Sequence, residues 1–239
     1  AIMILMQTLW ADLTSVGGSR FGWIYSPFIQ ELDIMSGALL WEWDASQYLD
    51  LTGSYAAYTG GTFEYAHCNA VVRDAEGDYL MSFRFYDLVV KVSGATKEII
   101  WRLGGKDSDF TFGNGSTFIG QHDPQWVPGT DYTELTLFDN DNNNCGVEPS
   151  WGTARGVWLR LDYSSMHVEL VREFLPPWWE GGLQLLPNGN VLVVFGSAGS
   201  VIEYAPPVQT TKDASAKEGP WDIVFEGNAH QVYRAYKYD

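Results

Sequence analysis

The chain is poor in positive charge: 14 Lys and Arg stand against 30 Asp and Glu in 239 residues, a formal net charge of −16. A field of that sign repels phosphate backbones and anionic lipid surfaces, so nucleic acid is not an expected partner. Any cationic cluster inside such a chain becomes informative, because it must overcome the overall field to hold an anion. Cysteine is also scarce. Cys68 and Cys145 are too few for a disulfide framework and leave one bridge or two free thiols open. No apolar run reaches the roughly 18 residues that a membrane span requires, so no membrane association is expected. Residues 1–6 are apolar but lack a basic flank and have the length of a strand, which argues against a signal peptide. Long stretches of 3.6-residue periodicity are missing too, so helix is expected only as short turns near 45–48 and 178–180.

What is present is bulky and β-prone. Apolar residues make up 46% of the chain, with 11 Trp, 13 Tyr and 12 Phe, enough to fill a large core and to exclude wholesale disorder. Short β-branched or aromatic runs bounded by turn residues recur at 79–84, 88–92, 98–101, 135–138 and 191–195. Two units repeat. One is a strand, a polar turn and a strand, at 32–41 and 90–101, both closed by Trp, with a degenerate copy at 159–170. The other is a tight turn feeding an inner strand, at 74–80, 128–135 and 187–192. A spacing of roughly 55 to 70 residues suits long-connected four-stranded blades. The expectation is an all-β chain, a single β-propeller domain over 1–239 built of four-stranded antiparallel blades. About four blades fit, and a start inside a strand-length run suggests an incomplete ring lacking N-terminal blades. An open ring exposes strand edges, so self-association or a partner chain is expected to cover them. Residues 206–220 read as an exposed excursion rather than a linker. Asn114-Gly115-Ser116 is a glycosylation sequon, and with the acidity and aromatic content it points to a secreted, extracellular chain.

Chemistry concentrates in two places. In His67-Cys68-Asn69, strand alternation puts His67 and Asn69 on one side and Cys68 on the other, and Arg84 returns to the same level at the end of the next strand. Imidazole, amide and guanidinium together make an anion clamp. Gly120-Gln121-His122-Asp123-Pro124 precedes the next turn in its repeat, which makes His122 the counterpart of His67 one blade on. Inner-strand ends converge on a propeller's channel, where the two histidines would face one another. Structural alternatives stand beside these readings: histidines bonded to turn carbonyls, Arg84 paired with Asp87 or Asp123, and Asp123 starting a turn before Pro124. Trp101-Arg102-Leu103-Gly104-Gly105 reads as architecture, its glycines permitting a tight crossing. The Asp/Asn run 139–144 lacks a Ca²⁺ loop's spacing and closing Glu and reads as a solvated Asx-turn loop. His167 and His230 carry no assignment.

The ordered set His67-Cys68-Asn69, Ser82-Phe83-Arg84, Ile100-Trp101-Arg102-Leu103-Gly104-Gly105, Gln121-His122-Asp123 and Phe138-Asp139-Asn140 resembles the arylsulfotransferase family, particularly its fungal branch. The similarity runs from about Gly22 to Tyr236. Bacterial members of that family are six-bladed propellers that move a sulfuryl group from an aryl sulfate to a phenol through a sulfohistidine, without a nucleotide donor. By that resemblance His122 is the nucleophile, His67 and Arg84 complete the catalytic set, and Asn69 and Gln121 lie on the substrate-binding side. No cofactor or metal is implied, and the partners are small aromatic sulfates or phenols. The chain departs from the bacterial pattern in lacking a further active-site histidine and in carrying Phe85 after Arg84. Those departures keep two other readings open, a non-catalytic propeller that binds a ligand or partner through the same channel, and a structural subunit completed by another chain.

Overall fold

The computed structural model describes residues 1–141, 154–175, 181–196, 199–206 and 222–228. Four sheets follow one another along the chain. The first holds β1 (Ile2–Ala11), β2 (Gly22–Leu32) and β3 (Leu39–Asp44), antiparallel, with a short β4 (Thr62–Glu64) parallel to β2. The second is β5 (Cys68–Arg73), β6 (Tyr79–Phe83), β7 (Leu88–Val92) and β8 (Ile99–Gly104). After a two-residue β9 (Thr111–Phe112) comes the third, of β10 (His122–Trp126), β11 (Glu134–Asp139), β12 (Arg155–Asp162) and β13 (His167–Phe174), with β9 on its outer edge. The fourth is β14 (Gly181–Leu185), β15 (Val191–Phe195), β16 (Ser200–Ala205) and β17 (Asp222–Asn228). These are propeller blades, and their first strands β1, β5, β10 and β14 lie side by side. The first blade departs from the regular pattern because β2 shares its outer edge, giving Phe28–Leu32 to β3 and Trp23–Tyr25 to β4.

The strands form where the sequence alternates bulky residues between two neighbours. β6 and β7 are buried at every position because the second blade is covered on both faces, which is why they read as continuous apolar runs. Tyr79, Met81 and Phe83 pack with Trp41 and Trp43 of the first blade; Leu80 and Val89 pack with Leu135, Leu137 and Val157 of the third. Phe138, Phe174, Leu183 and Val193 fill the space between the third and fourth blades. Two tryptophans of β3 are pinned by their indole N–H groups, Trp41, which ends the first repeated hairpin, to the Gly94 carbonyl at 3.0 Å and Trp43 to that of Lys97 at 2.9 Å. Trp41 also stacks on Tyr79, ring centroids 3.9 Å apart. The turn at 45–48 is present as a 3-10 turn; the one placed at 178–180 lies outside the described residues.

Two expectations shift. The tight turns at 74–80, 128–135 and 187–192 join the first strand of a blade to its second, so the strand they feed is the one next to the channel strand. β1 is a strand but not a buried one: Met3, Ile4, Leu5 and Met6 are exposed and Trp10 is 62% exposed, because no blade covers that face among the described residues.

Gly104 and Gly105 do permit a tight crossing. Both have left-handed φ, +88° and +71°, and a Cβ on them would lie 2.3 Å from the Asp87 carbonyl and 2.9 Å from that of Tyr86. Gly104→Ala combines that clash with left-handed strain and is expected to cost about 2–3 kcal/mol, read as a lowered denaturation midpoint at unchanged slope. An alanine variant as stable as the native chain would contradict the crossing.

Candidate active site

Register identifies equivalent positions better than spacing does. Phe83, Phe138 and Phe195, all fully buried, close the second strands of three consecutive blades, and their partners on the first strands are Cys68, His122 and Gly181. His122 is therefore the counterpart of Cys68, and His67 of Gln121, one residue off the expectation. A bulge follows in β5 and in β10, so strict alternation through Cys68-Asn69-Ala70 and through His122-Asp123-Pro124 does not hold. His67 and Asp123 sit at left-handed φ, +50° and +52°, where the chain turns into these strands.

The turn that carries His122 is anchored at each residue. The Ile119 N–H donates to Asp139 Oδ1 (2.9 Å) and the Gly120 N–H to Asp87 Oδ1 (2.7 Å). The Gly120 carbonyl faces Asn140 Nδ2 at 2.8 Å and His122 Nδ1 at 3.0 Å. The Gln121 carbonyl accepts from Asn69 Nδ2 at 2.7 Å. Gln121 Nε2 in turn donates to Ser82 Oγ (3.0 Å) and the Leu88 carbonyl (2.9 Å). Gln121 is fully buried, and these bonds give it a positioning role on this turn. Asn140 Nδ2 also lies 3.0 Å from His122 Nδ1, so that nitrogen meets both an acceptor, the Gly120 carbonyl, and a donor. Asp139 and Asn140, expected in a solvated loop, are buried instead, because they hold the His122 turn and, through Arg155 Nε at 3.1 Å, the start of β12. Residues 142–144 of that run lie outside the described residues.

His67 and Arg84 form the adjoining half. The Arg84 N–H donates to the His67 carbonyl at 3.0 Å, which puts them at one level as expected. His67 Nδ1 lies 2.6 Å from Glu64 Oε1, and its ring is 5.0 Å from that of Phe85. The hydrogen bond from His67 holds the Glu64 carboxyl below its ordinary range, against the opposing effect of burial. Arg84 is half-buried, 5.9 Å from the centroid of Phe85, and among the described residues it makes no ion pair with Asp87, Asp123 or any other carboxylate. Asp123 is buried and accepts from Gln125 Nε2 at 3.0 Å. Cys68 is buried and its thiol is pushed up to about 12 by burial, which rules it out as a nucleophile near neutrality. Cys145 and His230 lie outside the described residues.

Sequence reasoning missed Glu64 and named Asp87 only as an ion-pair partner for Arg84, not as the acceptor that holds the Gly120 N–H. Burial pushes Asp87 up to about 6; the Gly120 N–H opposes this, Asp139 adds to it, and Arg84 opposes it. A folded carboxyl that titrates above its unfolded value of 3.8 binds more protons in the folded state, so its contribution is full below about 3.8 and is lost as pH rises through about 6. Asp87→Asn keeps the acceptor for Gly120 and tolerates the left-handed φ of +49°. It is expected to raise stability at pH 7–8 by about 1–2 kcal/mol and to flatten the fall between pH 4 and 7. Denaturant titrations at pH 4.5 and 7.5 check this; an unchanged pH slope would refute it.

Among the described residues, one group of carboxylates gathers closely enough to hold a cation. Asp74, Glu76 and Asp78 bring carboxylate oxygens within 4.8 Å of one another, but Lys91 Nζ stands among them at 3.2, 3.2 and 3.3 Å.

Among solved structures, the chain is similar to hydrazine synthase of Kuenenia stuttgartiensis at 12% identity over 65% of this chain and 33% of that one, TM-score 0.38. It is similar to a putative 6-phosphogluconolactonase of Bacteroides fragilis at 11% identity, covering 97% and 57%, TM-score 0.49. A luciferin-regenerating enzyme matches at 12%, covering 92% and 63%, TM-score 0.46. The chain thus spans less than two thirds of each of these structures, and at such scores they carry no argument about chemistry. No curated protein matches it in sequence. The sequence model of one family matches residues 2–213, from β1 past the fourth blade's third strand and across every residue of the site just described: the chain belongs to the arylsulfotransferase (ASST) family.

Proposed function

We propose that the chain transfers a sulfuryl group from an aryl sulfate to a phenol, with His122 as the nucleophile and no nucleotide donor. The observation that carries this reading is a half-buried Arg84 without a carboxylate partner among the described residues, level with His67, in a chain of net charge −16. A guanidinium kept unpaired inside an acidic protein suits a tetrahedral oxyanion. In the first half-reaction His122 Nε2 bonds to sulfur as the S–O bond to the aryl group breaks, and the phenolate leaves. In the second, the acceptor oxygen bonds to sulfur and the S–N bond breaks. Little covalent assistance is needed beyond positioning and charge, which Arg84 and Asn69 would provide at the sulfuryl oxygens. The reaction uses the tautomer with the proton on Nδ1, donated to the Gly120 carbonyl, so that the Nε2 lone pair attacks and the carbonyl would steady the charge as it forms.

Intact mass measurement after brief exposure to 4-nitrophenyl sulfate is expected to show one sulfuryl adduct, discharged by added phenol. An unmodified chain with no release of 4-nitrophenol would sink the reading. We also propose an extracellular location with a glycan on Asn114, which is exposed in the turn after β9. A second reading, association through an open edge, draws on the exposed apolar row of β1 and on Ile223, Val224 and Phe225 of β17, each more than half exposed. It treats self-association or a partner chain as the cover.

A further inference from the structure

The loop between the 3-10 turn at 51–53 and β4 is tied to the second blade by the Tyr55 N–H, which donates to the Phe85 carbonyl at 2.8 Å, and beyond that tie an open cleft of about 300 Å³ lies against Phe85 and Glu64. Its walls are Tyr58, Phe63 and Phe85, with Glu64 at one end and Ala57 and Thr62 on the rim. Tyr58 meets Phe63 edge-on, centroids 5.7 Å apart at 70°. Phe85 is the shared wall, since the same ring lies 5.0 Å from His67 and 5.9 Å from the Arg84 guanidinium. Phe85 and Glu64 therefore connect the cleft to His67 and Arg84, which lie behind its lining. At the small end of the ligand-pocket range of about 300–1,000 Å³, the cleft has room for one or two fused rings and not for a polymer. Its aromatic walls favour a flat π-system, and the Glu64 carboxylate at its end disfavours an anionic substituent.

His67 is arranged as a base towards such a ligand. Glu64 accepts the Nδ1–H at 2.6 Å, which leaves the lone pair on Nε2, and that nitrogen has no partner among the described residues. We propose that the cleft binds the aryl ring of the phenol acceptor, with His67 Nε2 taking the hydroxyl proton and Glu64 positioning His67. The assignment rests on the sulfuryl-transfer reading. As the phenolic oxygen bonds to sulfur, the S–N bond to His122 breaks and its electron pair returns to Nε2 of His122. The phenolic proton moves to His67 Nε2, and the imidazolium rests against the Glu64 carboxylate. The class of acceptor is an uncharged one- or two-ring phenol.

The test separates ring binding from turnover. Binding of 2-naphthol, with no sulfate donor present, is followed by ligand-observed NMR for the native chain and for Ala57→Trp, which fills the cleft from an exposed rim position. Tyr58→Ala is the second cleft variant, and near-UV circular dichroism checks that both are folded. The expected result is at least a tenfold loss of affinity in both variants, none in His122→Ala, and weaker binding of 4-hydroxybenzoate than of the uncharged ligand. Equal binding by the native chain and Ala57→Trp would overturn the cleft, even if the chain turned over aryl sulfates. Cleft-dependent binding without any turnover would leave the cleft standing and remove the transferase reading. In an active chain, Glu64→Gln, whose amide oxygen still accepts from Nδ1, is expected to keep most of kcat, and Glu64→Ala to lose at least tenfold in kcat with KM for the phenol little changed. Equal kcat for the alanine variant and the native chain would remove Glu64 as the positioning residue.

Discussion

His122→Ala is expected to slow 4-nitrophenyl sulfate turnover by about 10⁴-fold or more, the scale on which loss of a nucleophile acts in enzymes that depend on a covalent intermediate. The fold should survive the change. Most attachments of the turn do not involve the imidazole: Ile119 to Asp139, Gly120 to Asp87 and Asn140, and Gln121 to Asn69, Ser82 and Leu88. What is lost includes the hydrogen bonding of Nδ1, which faces the Gly120 carbonyl and Asn140 Nδ2, about 1 kcal/mol for an ordinary hydrogen bond. Activity and stability are therefore expected to separate. Replacing a base rather than a nucleophile leaves a slower route open, so His67→Ala should retain more, with a loss of about 10²–10⁴-fold. Steady-state rates for both variants, with melting curves alongside, decide the order. Turnover by His122→Ala within tenfold of the native rate would remove His122 from the reaction, as would a sulfuryl adduct that persists in that variant.

The sequence announces the blades because their physics is local. The hairpins at 32–41 and 90–101 end in Trp41 and Trp101, whose bulk must enter an inter-blade core, and the polar turns between strands cannot. Site geometry is less local. Aligning His67 with His122 by spacing ignores the bulges in β5 and β10, and hydrogen-bond register moves the equivalence by one residue, to Cys68. Glu64 escapes notice because it lies three residues before His67, on the far side of buried Tyr65 and Ala66. Only the left-handed turn at His67, φ +50°, folds the ring back onto it. In the sequence Asp87 reads as a partner for Arg84, and Asp139 as part of a solvated Asx-turn loop. Their other role, receiving N–H groups of the turn at 119–120, depends on contacts 20 and 33 residues away in sequence, the one from Asp87 reaching in from the second blade. Arg84 was legible as a cation of interest because the chain has so few.

Lys91 is the clearest case of a residue whose surroundings the sequence hides, and Lys91→Met should be the most destabilising change away from the active site. It interrupts the apolar strand Leu88–Val92 and is nonetheless buried. Three acids from the turn joining β5 to β6 surround its ammonium, and the ring of Tyr132 in the third blade lies 5.1 Å from it. Burial of Lys91 opposes its charge, but hydrogen bonds to Asp74 and Glu76 outweigh this and raise its pKa, so the charge is retained far above neutrality. The side chain of Asp74 is fully buried and carries most of the consequence; Glu76 is 62% exposed and water can take over its contact. Methionine fills the volume and leaves Asp74 with no cation while Asp78 remains close, so the expected loss is about 3–5 kcal/mol, as for other buried pairs broken on one side. The double variant Lys91→Met, Asp74→Asn discriminates between lost charge and lost packing. Asparagine still accepts the Asp78 N–H that bonds Asp74 Oδ1 at 2.9 Å, and it removes the stranded charge. If charge is the cause, the double variant recovers at least half of the loss in denaturant titrations; if it is no more stable than Lys91→Met alone, the strand tolerates the carboxylate and the cage contributes through packing.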